Sequence, residues 1–155
     1  MRRKMGLKAT LLAVVSFAVL LGSCGNKGKT VPEPDERVIY YDGRQTELTK
    51  GDSGFSELYE LIKVNLQEGV LETLVEDETI NNAKEDLAVE YIYQDEQELE
   101  IGDDKESISG MFFFLSEWCE GEAAFGKNGE YQSGTVEFSC DKEKVKDIAT
   151  VYEDD

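Results

Sequence analysis

The chain has 155 residues, with 16 basic against 34 acidic side chains for a formal charge of −18, three cysteines, two prolines and no histidine. A length of this order fits one domain, and 40% hydrophobic residues suffice for a core. The charge excludes a nucleic-acid-binding surface, which must be basic. The lack of histidine excludes Ser-His-Asp and Cys-His catalysis, His-ligated zinc and an imidazole pH switch.

The N-terminus carries Arg2, Arg3, Lys4 and Lys8, continues in an apolar run over residues 9–21, and ends that run in Leu21-Gly22-Ser23-Cys24. A basic head before a short apolar stretch is the layout of a secretory signal. The run is too short for a bilayer, which takes roughly 20 apolar residues to span. The Leu-Gly-Ser-Cys ending resembles the lipobox of bacterial lipoproteins: an apolar residue, two small ones, then an obligatory cysteine. The resemblance covers residues 1–24 only. It implies cleavage before Cys24, a diacylglycerol on the Cys24 sulfur, and a mature chain anchored on the extracytoplasmic side of the cell membrane. Paired acyl chains anchor stably where a single one binds weakly. Residues 1–23 hold four basic and no acidic side chains, so cleavage leaves 12 basic against 34 acidic groups, a net charge of −22. Anionic headgroups repel such a surface, which predicts a body standing off the membrane.

Residues 25–36 contain both prolines, two glycines and a single apolar side chain, Val31. This composition predicts a flexible tether. The organisation expected is therefore a signal peptide over residues 1–23, a lipidated cysteine with its tether over 24–36, and one domain over 37–155.

In the body, Val38-Ile39-Tyr40-Tyr41 predicts a strand, Asp42-Gly43 a tight hairpin turn, and residues 45–49 the return strand. Asp52 or Ser53 caps a main helix in which Phe55, Leu58, Tyr59, Ile62 and Leu66 fall at helical spacing and Gly69 marks the end. Residues 77–85 predict a short second helix. From Leu87 the period becomes two, with Leu87, Val89, Tyr91 and Tyr93 on one face and Ala88, Glu90 and Ile92 on the other. A polar turn at Asp95-Glu96 would return the chain into an edge or half-exposed strand holding Leu99 and Ile101, followed by a charged loop over 102–107. Residues 111–115 are apolar on both faces, the mark of a central strand covered on both sides. A Gly-rich segment over 120–133 contains Asn128-Gly129, a second hairpin signal. Residues 135–140 alternate, and Asp141 caps a final helix with Val145, Ile148, Ala149 and Tyr152 inward. Together these predict an α+β fold: a small antiparallel sheet of five to seven strands with one main helix and a C-terminal helix packed on it.

Cys119 and Cys140 are the thiols left once Cys24 is lipidated. Export permits a disulfide between them, closing a loop of about twenty residues that the chain-entropy model values at about 3 kcal/mol. The alternative is two buried thiols acting as small hydrophobes. A nucleophilic Cys119 is disfavoured by its neighbours Glu117 and Glu120, which raise a thiol's pKa. The acidic clusters Glu76-Asp77-Glu78, Asp95-Glu96, Asp103-Asp104 and Glu153-Asp154-Asp155 read as solvated loops. None has the Asp-x-Asp-x-Asp-Gly spacing of a calcium loop, so no catalytic or metal-binding residue and no cofactor is assigned.

Aromatic residues crowd the predicted strands, and the sheet face away from the main helices needs cover from residues 70–86 or from a partner. Most of these rings read as core. Trp118, near a strand end, is the candidate for an exposed binding surface. The function expected is a non-catalytic binding or accessory role in the cell envelope, recognising a protein, a peptide or an envelope component. One alternative is a carboxylate-dependent envelope enzyme, which needs a buried acid beside an ionised one. Another is a structural or inhibitory partner of a second exported protein, which needs a contiguous exposed apolar patch.

Overall fold

Asp42 and Gly43 both take left-handed backbone angles, φ 52° and 71°, the conformation that a two-residue hairpin turn demands. They join β1 (Glu36–Tyr41) to β2 (Arg44–Thr49), with Tyr41 opposite Arg44. The computed structural model describes residues 30–70, 74–117, 120–131 and 134–152. The chain continues through α1 (Ser53–Leu61), β3 (Lys63–Val70), α2 (Asp77–Glu85), β4 (Leu87–Ile101), β5 (Asp104–Phe114), β6 (Glu122–Gly126), β7 (Thr135–Ser139) and α3 (Lys142–Val151). All seven strands form one antiparallel sheet in the order β2-β1-β4-β5-β6-β7-β3.

The balanced α+β expectation is overturned. Strands take 50% of the described residues against 24% in three short helices, so the fold is dominated by its sheet. Three segments account for the difference. The main helix ends at Leu61 rather than near Gly69, because residues 63–70 pair with β7 as an edge strand. No turn forms at Asp95-Glu96: β4 runs 15 residues, absorbing that polar stretch in an irregularity between Ile92 and Gln97. The charged residues after Ile101 belong mostly to β5, and the reversal is made at Gly102, whose φ of 55° is left-handed.

β5 lies at the centre of the sheet, and its alternation divides the core. Met111, Phe113 and Leu115 join Val89, Tyr91, Phe125 and Phe138 under α1 and α3. Phe112 and Phe114 face the other way, into a smaller cluster closed by Ile80 and Ala83 of α2, Val75 and Tyr131. α2 has the bounds expected and supplies the cover that the second sheet face required. α3 is capped as expected, the Asp141 side chain accepting from the Lys144 amide, and it buries Val145, Ile148 and Ala149. It is tied to α1 through the Tyr152 hydroxyl, which lies 2.7 Å from Ser53 Oγ and accepts from the Gly54 amide at 2.8 Å.

The sheet curls until its distant strands meet. The Gly102 amide at the end of β4 donates to the Leu66 carbonyl of β3 at 2.8 Å. A Cβ on Gly69 would stand 2.5 Å from Ile101 Cγ2, so only glycine lets the two strands approach this closely.

Residues 31–35, expected to be part of the tether, lie instead on the body as a strap. Val31 and Pro34 are buried. Tyr59 and Tyr93 donate to the Val31 and Pro32 carbonyls at 3.0 and 2.8 Å, and the Asp35 amide donates to the Ile92 carbonyl at 2.9 Å.

Candidate functional site

Strand alternation places Glu90 on the α2 face of β4, between Val38 of β1 and Phe112 of β5. It is 6% exposed and is the only buried acid among the described residues. Burying a carboxylate is costly unless donors surround it, and three other parts of the chain supply them. Tyr40 of β1 donates to Oε2 at 2.6 Å, and Tyr131 donates to Oε1. Lys84 of α2 brings its ammonium to 3.9 Å from Oε2 while lying 4.8 Å from the centre of the Tyr40 ring, an arrangement that adds cation–π attraction. Burial first, and then the neighbouring Glu90, push both tyrosine hydroxyls well above the usual tyrosine range.

Tyr131 reaches Glu90 because residue 110 is glycine. A Cβ there would lie 2.6 Å from the Tyr131 hydroxyl. The second hairpin signal is also realised, Asn128 and Gly129 taking φ of 54° and 79° and joining the paired Lys127 and Glu130 just before Tyr131.

Beside the cluster runs a groove of about 490 Å³ whose walls include Glu90, Ile92, Glu96, Ser109, Asn128 and Tyr131. Glu96 accepts from Ser107 at 2.5 Å and from Lys127 at 2.9 Å, and these bonds hold its carboxyl below the usual carboxylate range. Two acids therefore share one groove, the arrangement an acid–base enzyme would require. Both Glu90 oxygens nevertheless accept from hydroxyls, and Glu96 accepts from a hydroxyl and an ammonium. The cluster acts as a clamp joining β1, β4, α2 and the segment after β6.

The residues singled out from sequence are not brought together here. Cys24, Trp118 and Cys119 lie outside the described residues. Cys140 follows β7 half-buried, without a disulfide partner among the described residues, its thiol pushed up to about 11 by burial and by Asp141. Glu76, Asp77 and Glu78 stand at the N-terminal end of α2, where negative charge favours the helix dipole. Asp95 and Glu96 lie in the irregular part of β4, and Asp103-Asp104 falls at the β4–β5 reversal. No group of three potential ligand side chains that could hold a metal occurs among the described residues. Most aromatic residues on and near the strands are core, as expected: Tyr40, Tyr91, Tyr93, Phe112, Phe113, Phe114, Phe125, Tyr131 and Phe138 are buried, and Tyr41 is half-buried.

Glu90, Tyr131 and Lys84 carried no assigned role in the sequence. The signal that could have found them is Glu90 itself, the lone charge in the otherwise uncharged stretch 87–93. In comparisons with known proteins, no family model matches the chain, and neither a curated protein nor a solved structure matches it.

Proposed function

We propose that the mature chain is a lipid-anchored binding or accessory domain on the extracytoplasmic side of a bacterial membrane, acting without catalysis. The observation that carries this reading is the order of a basic head, an apolar run and Leu21-Gly22-Ser23-Cys24. On this reading the attachment is the lipid on Cys24. The surplus of 34 acidic over 12 basic groups beyond residue 23 favours a cationic or neutral partner. Both Glu90 oxygens and one Glu96 oxygen are held by donors of this chain, an arrangement that favours recognition over proton transfer. Replacing Cys24 with Ala is expected to move the protein from the membrane pellet to the soluble fraction. Pelleting of the variant that survives a high-salt wash would overturn the lipid anchor.

The same export supports a Cys119–Cys140 bridge. Without reductant, both thiols are expected to resist iodoacetamide. After reduction, Cys140 should react about 100-fold more slowly than an exposed thiol near neutral pH, since only the thiolate attacks and its pKa is raised from 9.0 to about 11. Ready alkylation of both residues before reduction would exclude the bridge.

A further inference from the structure

The strap over residues 31–35 has the chemistry of a bound peptide. Residues 31–34 lie outside the sheet and the helices. Pro32 and Pro34 hold their own φ at about −65° and bias Val31 and Glu33 toward extended backbone. Such a stretch favours the polyproline conformation, whose carbonyls find no partner within the segment. Here the body supplies two donors: Tyr59 of α1 donates to the Val31 carbonyl at 3.0 Å, and Tyr93 of β4 to the Pro32 carbonyl at 2.8 Å. Val31 and Pro34 are buried, while Glu33 between them is exposed. Aromatic-lined grooves hold Pro-rich segments in this manner, since a preformed extended backbone loses little entropy on docking.

The strap fills its groove incompletely. A cavity of about 210 Å³ adjoins Val31, with Tyr59, Ile62, Val64 and Tyr91 in its wall. A longer apolar side chain at the Val31 position would gain contacts there that valine forgoes. Those contacts matter because the strap runs directly into β1 at Glu36, which gives it a high effective concentration at the groove. A free segment displaces the strap only by binding the groove more tightly than Val31 and its neighbours do.

We infer that the groove under the strap is a peptide-binding site held closed in cis, and that its partner is an extended segment in which a large apolar residue precedes Pro-x-Pro. The inference names a partner class for the binding role proposed above and rests on that role; the pelleting of Cys24→Ala tests the anchor separately. The probe is a fluorescent peptide of residues 29–35 carrying Val31→Leu, its anisotropy followed as the full chain is added in detergent. Saturable binding is expected, about tenfold tighter to a chain carrying Val31→Ser, because losing a buried valine loosens the strap by at least that factor. A peptide with both prolines replaced by alanine should bind about tenfold more weakly, since its free state is less restricted. No binding to the Val31→Ser chain at millimolar concentration would overturn the site, as would equal affinity for the two chains or indifference to the prolines. Should Val31→Ser fail to fold, Pro32→Ala loosens the strap at a half-buried position. A gain of a few-fold is then expected, and equal affinity again overturns the site.

Discussion

Replacing Glu90 with Ala is expected to lower the unfolding free energy by about 3–5 kcal/mol, because removing one partner of a buried ionic cluster strands the others. The Tyr40 and Tyr131 hydroxyls would lose their shared acceptor, and each unmet buried donor costs about 1–3 kcal/mol. Lys84, whose side chain is 34% exposed, can turn to water, so its share of the loss is small. Urea unfolding measures the effect. A triple variant, Glu90→Leu with Tyr40→Phe and Tyr131→Phe, removes acceptor and donors together. It should recover most of the loss, since apolar replacement of a complete buried polar cluster is often neutral or stabilising. If Glu90→Ala costs less than about 1 kcal/mol, within the range of ordinary surface changes, the cluster is not the clamp described above.

High pH should unfold the protein abruptly. Burial raises the hydroxyls of Tyr40, Tyr91, Tyr93 and Tyr131 above the ordinary tyrosine value of 10.0, and in each it is the largest cause. A group whose folded pKa is raised keeps its full contribution to stability below its unfolded pKa. The contribution is lost as pH climbs from there through the folded value, because the unfolded chain releases the proton first. Each of the four then subtracts about 1.4 kcal/mol per pH unit above about pH 10, for a combined slope near 5 kcal/mol per unit. Against a typical total of about 5–15 kcal/mol, the transition should be complete within a few pH units above 10. Phenolate absorbance followed alongside circular dichroism provides the check. The four buried tyrosines should ionise together with the loss of structure, and ionisation well before unfolding would contradict their burial.

Parts of this architecture are legible in local chemistry alone. Asp42-Gly43 and Asn128-Gly129 tolerate left-handed angles and announce their turns, residues 111–115 reveal a strand covered on both faces, and Asp141 announces α3. β3 is not legible, because Ile62 and Leu66, four residues apart, satisfy a helical period as well as the strand period that Val64 between them completes. Pairing with β7, some seventy residues away in sequence, decides between them. In the same way, Asp95-Glu96 has turn composition, but the long partner strand β5 carries β4 through it. The site divides along the same line. Glu90 is visible as a charge among uncharged neighbours, whereas its partners come from residues 40, 84 and 131 and meet only through the sheet order.

The strap also fixes how force would enter the molecule. Val31 is held in the core, so a lipid on Cys24 would pull through a backbone no longer than about 25 Å when fully extended. That is about three screening lengths at physiological salt: enough to spare the acidic body most of the headgroup field, but too little for it to roam. Tension on the anchor would reach the middle of β4 through Asp35 and Ile92 and through Pro32 and Tyr93. The load would then fall as shear on an interior strand instead of peeling the chain from a free end.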